Sequence, residues 1–343
     1  MTCMAGTIGK RIGQGVAIAL TLAVAAGGII AYSYREDIRD HFLASSFAPS
    51  ARVQQVQEEI ELNPSGDRIF LASQPTIGGR EEFNRWCAGV DHTEEGHVLG
   101  CFADRRIRLF EVTDERLNGV VETTAAHELL HAAWVRLSQD ERASLSRTLI
   151  AEYDELAAQD ESFKQRMSVY ESLPRSAFAN ELHSVFGTEV RELSPVLSEH
   201  YARWFVDRSA IVDLYEGYHG VFVELKQEAD RLSAELEALR ADIETRSANY
   251  DVAVQQFNTD AADFKQRNER YEFSGKKDLF DSIRAQLLDR QAGLDLVRQE
   301  IQADTDRFNE IRAHLLELND VSLELNDVLD STLSEPTAPV ETA

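Results

Sequence analysis

The pattern of apolar and polar positions divides the chain into three parts. Residues 12–34 contain no charged side chain, and an apolar run of this length can cross a bilayer as a helix. Residues 65–210 carry short β-rich runs first and helical patterns afterwards. From residue 225 onward, apolar side chains recur at alternating spacings of three and four, which is typical of a coiled coil.

The apolar run 12–34 predicts a transmembrane anchor. Lys10 and Arg11 precede it, which favours a cytoplasmic N-terminus over residues 1–11. A cleaved signal peptide is the alternative, because Ala-Val-Ala at 23–25 fits a small-x-small cleavage site. The run continues beyond that site, which favours an uncleaved anchor. We therefore expect a single-pass membrane protein whose main domain is extracytoplasmic, in the periplasm or at the cell surface.

Residues 35–64 predict a short helical stalk that ends in the turn Asn-Pro-Ser-Gly at 63–66. Three β-rich runs beyond the stalk are predicted strands: RIFLAS at 68–73, HVLGCFA at 97–103 and RIRLFEV at 106–112. The last run alternates apolar and charged residues, as a half-buried strand does. Asp104 and Arg105 separate the last two runs and indicate a hairpin turn.

Helical patterns fill the rest of this middle part, at residues 80–87, 117–137, 138–159, 175–187 and 196–208. Ser138 and Glu141 stand in a capping-box arrangement at the start of one of these helices. Gly187 follows the last apolar position of another and is predicted to end it. A few strands followed by a group of helices predict a small α+β domain over residues 65–215.

The last part predicts two long helices. Their apolar seams are separated by YEFSGKK at 271–277, in which Ser274 and Gly275 form the turn. Two helices of similar length joined by a short loop are expected to form an antiparallel coiled-coil hairpin over residues 216–331. An arm of about fifty residues reaches roughly 75 Å. Polar residues interrupt the seams and are expected to fix their register: Arg246, Arg290, Asp304 and Ser322.

Composition narrows the class of function. The 343 residues are 43% hydrophobic and 28% charged, as in an ordinary folded protein. The formal net charge of −25 argues against a nucleic-acid partner, because phosphate neutralisation needs clustered Lys and Arg. Residues 332–343 have the composition of a disordered tail.

Cys87 and Cys101 flank a short loop. In an oxidising compartment we expect a disulfide that closes this loop. The alternative is two buried free thiols. The chain has no CxxC spacing, which argues against a zinc site built from cysteines.

His127, Glu128 and His131 form an HExxH motif in an otherwise apolar helical pattern. Such a helix is predicted to be buried, and buried ionisable groups need partners. Residues four apart lie one turn apart on the same helix face, so the two imidazoles can bind one Zn²⁺, with Glu128 beside the metal as a proton acceptor. The alternative is a pair of solvent-facing histidines, which the surrounding apolar residues and the strand predicted just before the helix argue against.

The motif, with the segment NELHS about fifty residues downstream, resembles the gluzincin metallopeptidases over roughly residues 97–205. In that family the third zinc ligand is a glutamate on a separate helix. The resemblance implies a zincin-like metallopeptidase domain in which His127, His131 and Glu181 bind Zn²⁺. It also implies that Glu128 is the general base.

His183 is the rival third ligand. It lies two residues from Glu181 and nearly opposite on the helix, so both side chains cannot face the metal. Apolar residues at i−3 and i+4 from Glu181 place Glu181 on the inward face, which favours it. The chain departs from the gluzincin pattern in lacking an Asp partner for the first zinc-binding histidine, where Asn180 or Ser184 stands instead.

Hydrolysis of a peptide bond also needs a donor for the tetrahedral oxyanion. His200 and Tyr201 are candidates, because they closely follow the helix of Glu181, and Tyr170 is a weaker one. The alternative is that Tyr201 belongs to a stripe of core residues with Trp204 and Phe205.

Two functions remain open at this point. The first is a membrane-anchored, extracytoplasmic zinc metallopeptidase that acts on a peptide or protein substrate, with a coiled-coil arm that binds a protein partner. The second is a non-catalytic membrane-anchored adaptor or scaffold, in which the arm is the functional element and the zinc domain is structural or degenerate. Both share the predicted fold: a small zincin-like α+β domain, an N-terminal transmembrane helix and a long antiparallel coiled-coil hairpin.

Overall fold

The computed structural model describes residues 34–87, 98–170 and 172–332. Helices account for 77% of these residues, and one three-stranded sheet is the only sheet among them. Our prediction of an α+β fold is therefore wrong, because the chain is predominantly helical. The described residues form two compact units: the first comprises those up to residue 220 together with 328–332, and the second comprises Val221–Asp327.

The helices and strands of the first unit follow one another in this order: α1 (Arg35–Ser46), α2 (Ala51–Glu59), α3 (Pro64–Ala72), β1 (Thr76–Gly78), α4 (Arg80–Cys87), β2 (Gly100–Ala103), β3 (Arg106–Phe110), α5 (Val120–Trp134), α6 (Gln139–Gln159), α7 (Glu161–Met167), α8 (Arg175–Thr188) and α9 (Pro195–Tyr201). Two long helices follow, α10 (Arg208–Glu269) and α11 (Lys277–Leu329). Most residues of α10 and α11 belong to the second unit.

Helix α3 replaces both the strand predicted at 68–73 and the turn predicted at 63–66. The side chain of Asn63 accepts hydrogen bonds from the backbone N–H groups two and three residues further on, and so caps the helix. Pro64 occupies the first helical position. A backbone N–H at this position would have no acceptor within the helix, so proline costs no helical hydrogen bond there. The strand prediction was wrong because periodicity alone does not assign a short apolar run such as RIFLAS to a strand or a helix.

Residues 35–64, predicted as a stalk, make buried contacts within the first unit. Asp40 of α1 is 4% exposed and accepts two hydrogen bonds from the guanidinium of Arg136, at 2.5 and 2.9 Å. Arg52 of α2 lies 2.9 Å from the buried carboxylate of Glu122. Removing one partner of a buried ion pair leaves an uncompensated charge, so these pairs hold α1 and α2 firmly to the unit.

The sheet has the strand order β1-β3-β2, so β3 is central and β2 is an edge strand. Strand β1 pairs with β3 in parallel, whereas β2 pairs with β3 antiparallel. Asp104 and Arg105 form the β2–β3 turn with φ values of 49° and 60°, which confirms the predicted hairpin. The run predicted as a strand at 106–112 forms the central strand, and the run predicted at 97–103 forms the edge strand β2.

Cys87 at the end of α4 and Cys101 in β2 form a disulfide. Both cysteines are buried. The bond ties α4 to the edge strand, as in the first of the two alternatives for this pair. Residues 88–97, between the two elements, lie outside the described residues.

Helix α5, which carries the HExxH motif, is buried nearly all round. Thirteen of its fifteen residues are buried, and it contacts α8, β2 and β3. Gly119 precedes it with a φ of 99°, and a Cβ at that position would lie 2.9 Å from the carbonyl oxygen of Leu214. Only glycine combines this backbone conformation with so close an approach. The motif therefore lies in the core of the first unit.

The second unit consists of the parts of α10 and α11 that lie within Val221–Asp327, and these run antiparallel. Their connection contains Gly275 with a φ of 76°, at the turn predicted for Ser274 and Gly275. Near this turn the rings of Phe264 and Phe280 lie 5.1 Å apart. The predicted helical hairpin is therefore present.

Three of the polar residues that interrupt the apolar seams form ion pairs across the hairpin. Arg246 of α10 binds Asp304 of α11, and Arg290 of α11 lies 2.6 Å from Asp260 of α10. A polar pair inside an apolar seam favours the one register that joins its members. These contacts support the role in register that the sequence predicted for three of the four interrupting residues.

No helix among the described residues is both long and apolar enough to cross a membrane. The predicted transmembrane helix, residues 12–34, lies outside the described residues except for Tyr34. These findings overturn the predictions of an N-terminal transmembrane helix and of a single-pass, extracytoplasmic protein. The error has a physical reason, since an apolar run of sufficient length is necessary for a membrane span but does not establish one.

Candidate metal centre

His127, His131 and Glu181 come together where α5 meets α8. One donor atom from each side chain lies within 4.8 Å of the other two. Oε2 of Glu181 lies 3.7 Å from Nε2 of His127 and 3.6 Å from Nε2 of His131. The two imidazole rings stand 4.8 Å apart, as expected for residues one turn apart on a helix. The structure thus groups the three side chains that the resemblance implied as ligands.

The donor types and their spacing fit a Zn²⁺ ion. Zinc binds histidine nitrogen and carboxylate oxygen at about 2.0–2.2 Å in a tetrahedral arrangement, which places its ligand atoms about 3.3 Å apart. The distances of 3.6 and 3.7 Å to the carboxylate exceed this value by only a few tenths of an ångström. Three protein ligands leave the fourth position for water or substrate, as in catalytic zinc sites.

The surroundings favour the protonation states that a divalent cation requires, namely neutral imidazoles and an ionised carboxylate. Burial lowers the pKa of His131, and the negative charge of Glu181 only partly opposes this effect. Burial raises the pKa of Glu181, but the neighbouring His131 and His127 outweigh burial and hold that pKa below its usual value. Near neutral pH these shifts favour an ionised Glu181 and a neutral His131, the forms that bind a cation.

Glu128, the proposed base, is 2% exposed and lies against the edge strand. A Cβ at Gly100, the first residue of β2, would lie 2.7 Å from Oε1 of Glu128. The absence of a side chain at position 100 therefore lets β2 pass beside the Glu128 carboxylate. Sequence reasoning missed Gly100, and a single glycine at the start of a short strand gives no signal of this role.

Gly187 brings α8 close to α5. A Cβ at this position would lie 2.2 Å from Cδ1 of Leu130 and 2.8 Å from Cε1 of Tyr201. The prediction that Gly187 ends its helix was wrong, because α8 continues to Thr188. The glycine instead provides the close helix contact that brings Glu181 to the two motif histidines.

His183, the rival ligand, lies among aromatic rings. Its ring is 5.3 Å from that of Trp134 and 5.6 Å from that of Trp204, and its Nε2 lies 3.0 Å from Nε2 of His200. Burial lowers the pKa of His183 well below its usual value. The structure groups Glu181, rather than His183, with the motif histidines.

His200 and Tyr201, the predicted oxyanion donors, contact His183. The hydroxyl of the fully buried Tyr201 donates a hydrogen bond to the backbone carbonyl of His183 at 2.7 Å. Burial, with a smaller effect of Arg203, lowers the pKa of His200 to about 4. These contacts join α9 to α8 and match the alternative in which Tyr201 and Trp204 are core residues.

Of the two residues considered as histidine partners, Asn180 acts on the second motif histidine. Its side chain raises the pKa of His131, against the larger effect of burial. Ser184 is fully buried on α8. Asn180, considered in the sequence as a partner of the first motif histidine, therefore acts on the second instead.

A cavity of about 220 Å³ lies beside His127. Tyr170, the weakest of the predicted donors, lines it together with Tyr218 and His219 at the start of α10. Sequence reasoning missed Tyr218 and His219. The available signal was the cluster of aromatic and histidine residues that precedes the heptad pattern at residue 225.

No protein-family model, curated protein or solved structure matches this chain. The likeness to gluzincin metallopeptidases therefore rests on the HExxH motif and on the geometry of three side chains.

Proposed function

We propose that this chain is a zinc-dependent peptidase that hydrolyses peptide bonds. The observation that carries the proposal is the grouping of His127, His131 and Glu181 at ligand spacing, with Glu128 next to the first of them on α5. Two histidines from an HExxH helix and a glutamate from a second helix are the ligand set of the gluzincins that the sequence resembles.

Zinc, when bound, acts as a Lewis acid that polarises a carbonyl group and makes water more acidic. In the chain itself, the two imidazoles and Glu181 supply three donors from two packed helices. Glu128 accepts the proton of the attacking water, and its near-complete burial strengthens its electrostatic interactions. His127 and Glu128 are adjacent on α5, so ligand and base are positioned by the same rigid element.

The edge strand supports a peptide as the substrate class. Among the described strands, β2 pairs only with β3, and its first residue contacts Glu128. An edge strand offers backbone N–H and C=O groups to which an extended peptide can add as a further strand. A peptide bound in this way would run past the Glu128 carboxylate.

Replacing Glu128 tests the proposal directly. In Glu128→Gln, hydrolysis of a fluorescence-quenched peptide mixture should fall by about 10²–10⁴-fold, because the general base is lost. Zinc content, measured by elemental analysis, should remain one ion per chain, because the three ligands are untouched. Glu155→Gln, at an exposed position of α6, is the matched control and should change neither quantity.

Two results would reject the proposal. If the parent and Glu128→Gln hydrolyse the peptides at equal rates, Glu128 is not the general base. A chain that binds no metal in any preparation would reject the zinc peptidase and favour an adaptor whose functional element is the helical hairpin.

A further inference from the structure

The last described residues of the chain, 328–332, belong to the first unit rather than to the hairpin. We call them the strap. Leu329 ends α11 and is 6% exposed, and Ser331 is 2% exposed although it lies in no helix or strand. A terminal segment with such burial is docked onto its own domain.

The strap is fixed to α4 by two polar contacts. The Asp330 carboxylate lies 3.9 Å from the guanidinium of Arg80, and Oγ1 of Thr332 accepts a hydrogen bond from Nδ2 of Asn84 at 2.7 Å. The side chains of Asp330 and Arg80 are 45% and 42% exposed, and ion pairs of such exposure contribute little stability. These two polar contacts with α4 can therefore be broken without disturbing the core.

Leu329 forms part of the wall of the cavity beside His127. The same cavity is lined by Leu99, which immediately precedes β2, and by Thr124, one turn before Glu128 on α5. The strap therefore closes one side of a space whose other sides carry the metal ligand and the approach to the edge strand.

The chemistry of the cavity indicates what it admits. Its two charged groups, Arg166 and Glu189, pair with each other, so the wall offers no unpaired charge of either sign. Tyr170, Tyr215 and Val185 supply aromatic and aliphatic surface. An apolar cavity of about 150 Å³ holds a benzene molecule, so a cavity of about 220 Å³ has room for a large side chain.

We propose that the strap is an intramolecular lid: residues 328–332 close the cavity beside His127, and their release admits a large uncharged side chain of a peptide. The substrate part of this inference rests on the proposed peptidase function. The closure itself does not, since it requires neither bound metal nor turnover.

Access to the cavity is measured with a cysteine placed inside it. Thr124→Cys, in the full chain, is reacted with a small maleimide, and the rate of labelling at residue 124 is followed by peptide mass mapping. Leu329→Ala, and separately Arg80→Ala with Asn84→Ala, should raise this rate severalfold, because each weakens the docking of the strap. Leu323→Ala is the matched control, since Leu323 lies on the same helix but is 60% exposed.

A second variant tests the opposite change. Asn84→Cys combined with Thr332→Cys, oxidised so that the two new cysteines cross-link, should lower the labelling rate below that of the parent. It should also lower the hydrolysis of peptides with a phenylalanine or leucine side chain, whereas Leu329→Ala should raise it. Circular dichroism of each variant identifies any that fails to fold, and the Arg80 and Asn84 variants leave the apolar core intact.

The outcomes separate the two proposals. Labelling that is unchanged in Leu329→Ala, in the variant lacking both anchors and in the cross-linked variant would reject the lid. Labelling that responds as expected, with no hydrolysis by any variant, would retain the lid and reject the peptidase. Hydrolysis by the parent that is insensitive to all three variants would retain the peptidase and reject the lid as a control on substrate entry.

Discussion

Helices α5 and α11 hold polar residues in their interfaces by different means. In α5, thirteen of fifteen residues are buried, and the buried set includes Glu122, His127 and Glu128. In α11, most side chains are exposed and a narrow apolar seam is interrupted by Asp304. Two of these polar groups are matched by residues that are distant in sequence, Glu122 by Arg52 and His127 by Glu181. Asp304 is matched within the hairpin by Arg246.

This difference separates two kinds of specificity. A buried helix such as α5 holds ionisable groups only where the tertiary structure supplies partners, so its polar positions define a site. A helical hairpin repeats one packing rule, and a polar pair in its seam selects a register without creating a cavity. Substitutions near α5 should therefore change metal binding and global stability together, whereas substitutions in the hairpin should have smaller effects.

The largest expected effect is the loss of metal in Glu181→Ala. Substituting the residues that merely orient a metal ligand costs about 10–100-fold in affinity, so removing a ligand should weaken zinc binding by more than about 100-fold. Competition with a chromogenic chelator measures the affinity. Ser176→Ala, at an exposed position of the same helix, should bind zinc as the parent does. Unchanged zinc affinity in Glu181→Ala would mean that Glu181 is not a ligand and that His127 and His131 interact with some other group.

The next effect is on the pH dependence of stability. His200 of α9 faces His183 of α8, and Arg203 and Glu141 lie nearby. Burial lowers the pKa of His200 to about 4. The unfolded chain takes up the proton near pH 6.5, so the free energy of unfolding should fall as pH drops from about 6.5 to 4, by about 3 kcal/mol.

Urea unfolding at several pH values measures this slope. His200→Gln should make it shallower, because glutamine does not titrate, and burial of His183 and His131, whose pKa values are also lowered, accounts for the slope that remains. Glu199→Gln on the exposed side of α9 should leave the slope in place. A slope of the same size in the parent and His200→Gln would show that other groups cause it.

Gly187→Ala should have an intermediate effect. The added methyl group meets Leu130 and Tyr201 in the contact between α5, α8 and α9, and overpacking of this kind costs about 1–3 kcal/mol. Zinc affinity should fall with stability, because α8 must shift relative to α5. Gly217→Ala is the control: it also lies in a helix, nothing lies within 4 Å of its would-be Cβ, and it should stabilise the chain slightly. Equal thermal midpoints for the two variants would contradict the close-contact role of Gly187.

The smallest effect concerns the hairpin. A double-mutant cycle on Arg246→Ala and Asp304→Ala should give a coupling of about 1 kcal/mol, since both side chains are less than one-third exposed. The exposed pair Arg240 and Glu244 on α10 should show no measurable coupling. Zinc affinity should not change in either cycle. A loss of zinc binding in Arg246→Ala would contradict the claim that substitutions in the hairpin leave the metal site unchanged.

The sequence predicted the features that depend on short-range periodicity. The HExxH spacing placed His127 and His131 on one helix face, and the three-four repeat predicted both arms of the hairpin and the turn at Gly275. The capping box at Ser138 and Glu141 is also present. Each of these patterns depends only on residues that are close to one another in the sequence. They can therefore be recognised without knowledge of the tertiary structure.

Features that depend on tertiary contacts escaped prediction. RIFLAS became a helix because Asn63 caps it, and an apolar run of six residues does not choose between helix and strand. The roles of Gly100 and Gly187 depend on side chains that approach from other elements. His200 and Tyr201 follow the Glu181 helix in sequence, yet their rings pack on His183. Proximity in sequence was a poor guide to proximity in space at these positions.

The disulfide between Cys87 and Cys101 makes α4 and β2 members of one covalent ring. Helix α4 carries both polar anchors of the strap, and β2 passes beside Glu128. The helix that anchors the strap is thus cross-linked to the edge strand, whereas the ion pair between Arg80 and Asp330 is exposed and weak. While the ring is intact, α4 cannot travel far from β2, so the strap can open only by leaving α4 behind. Reduction would leave α4 joined to the sheet by noncovalent packing, such as that of Phe83 on Phe110, and the anchors of the strap could then shift with α4.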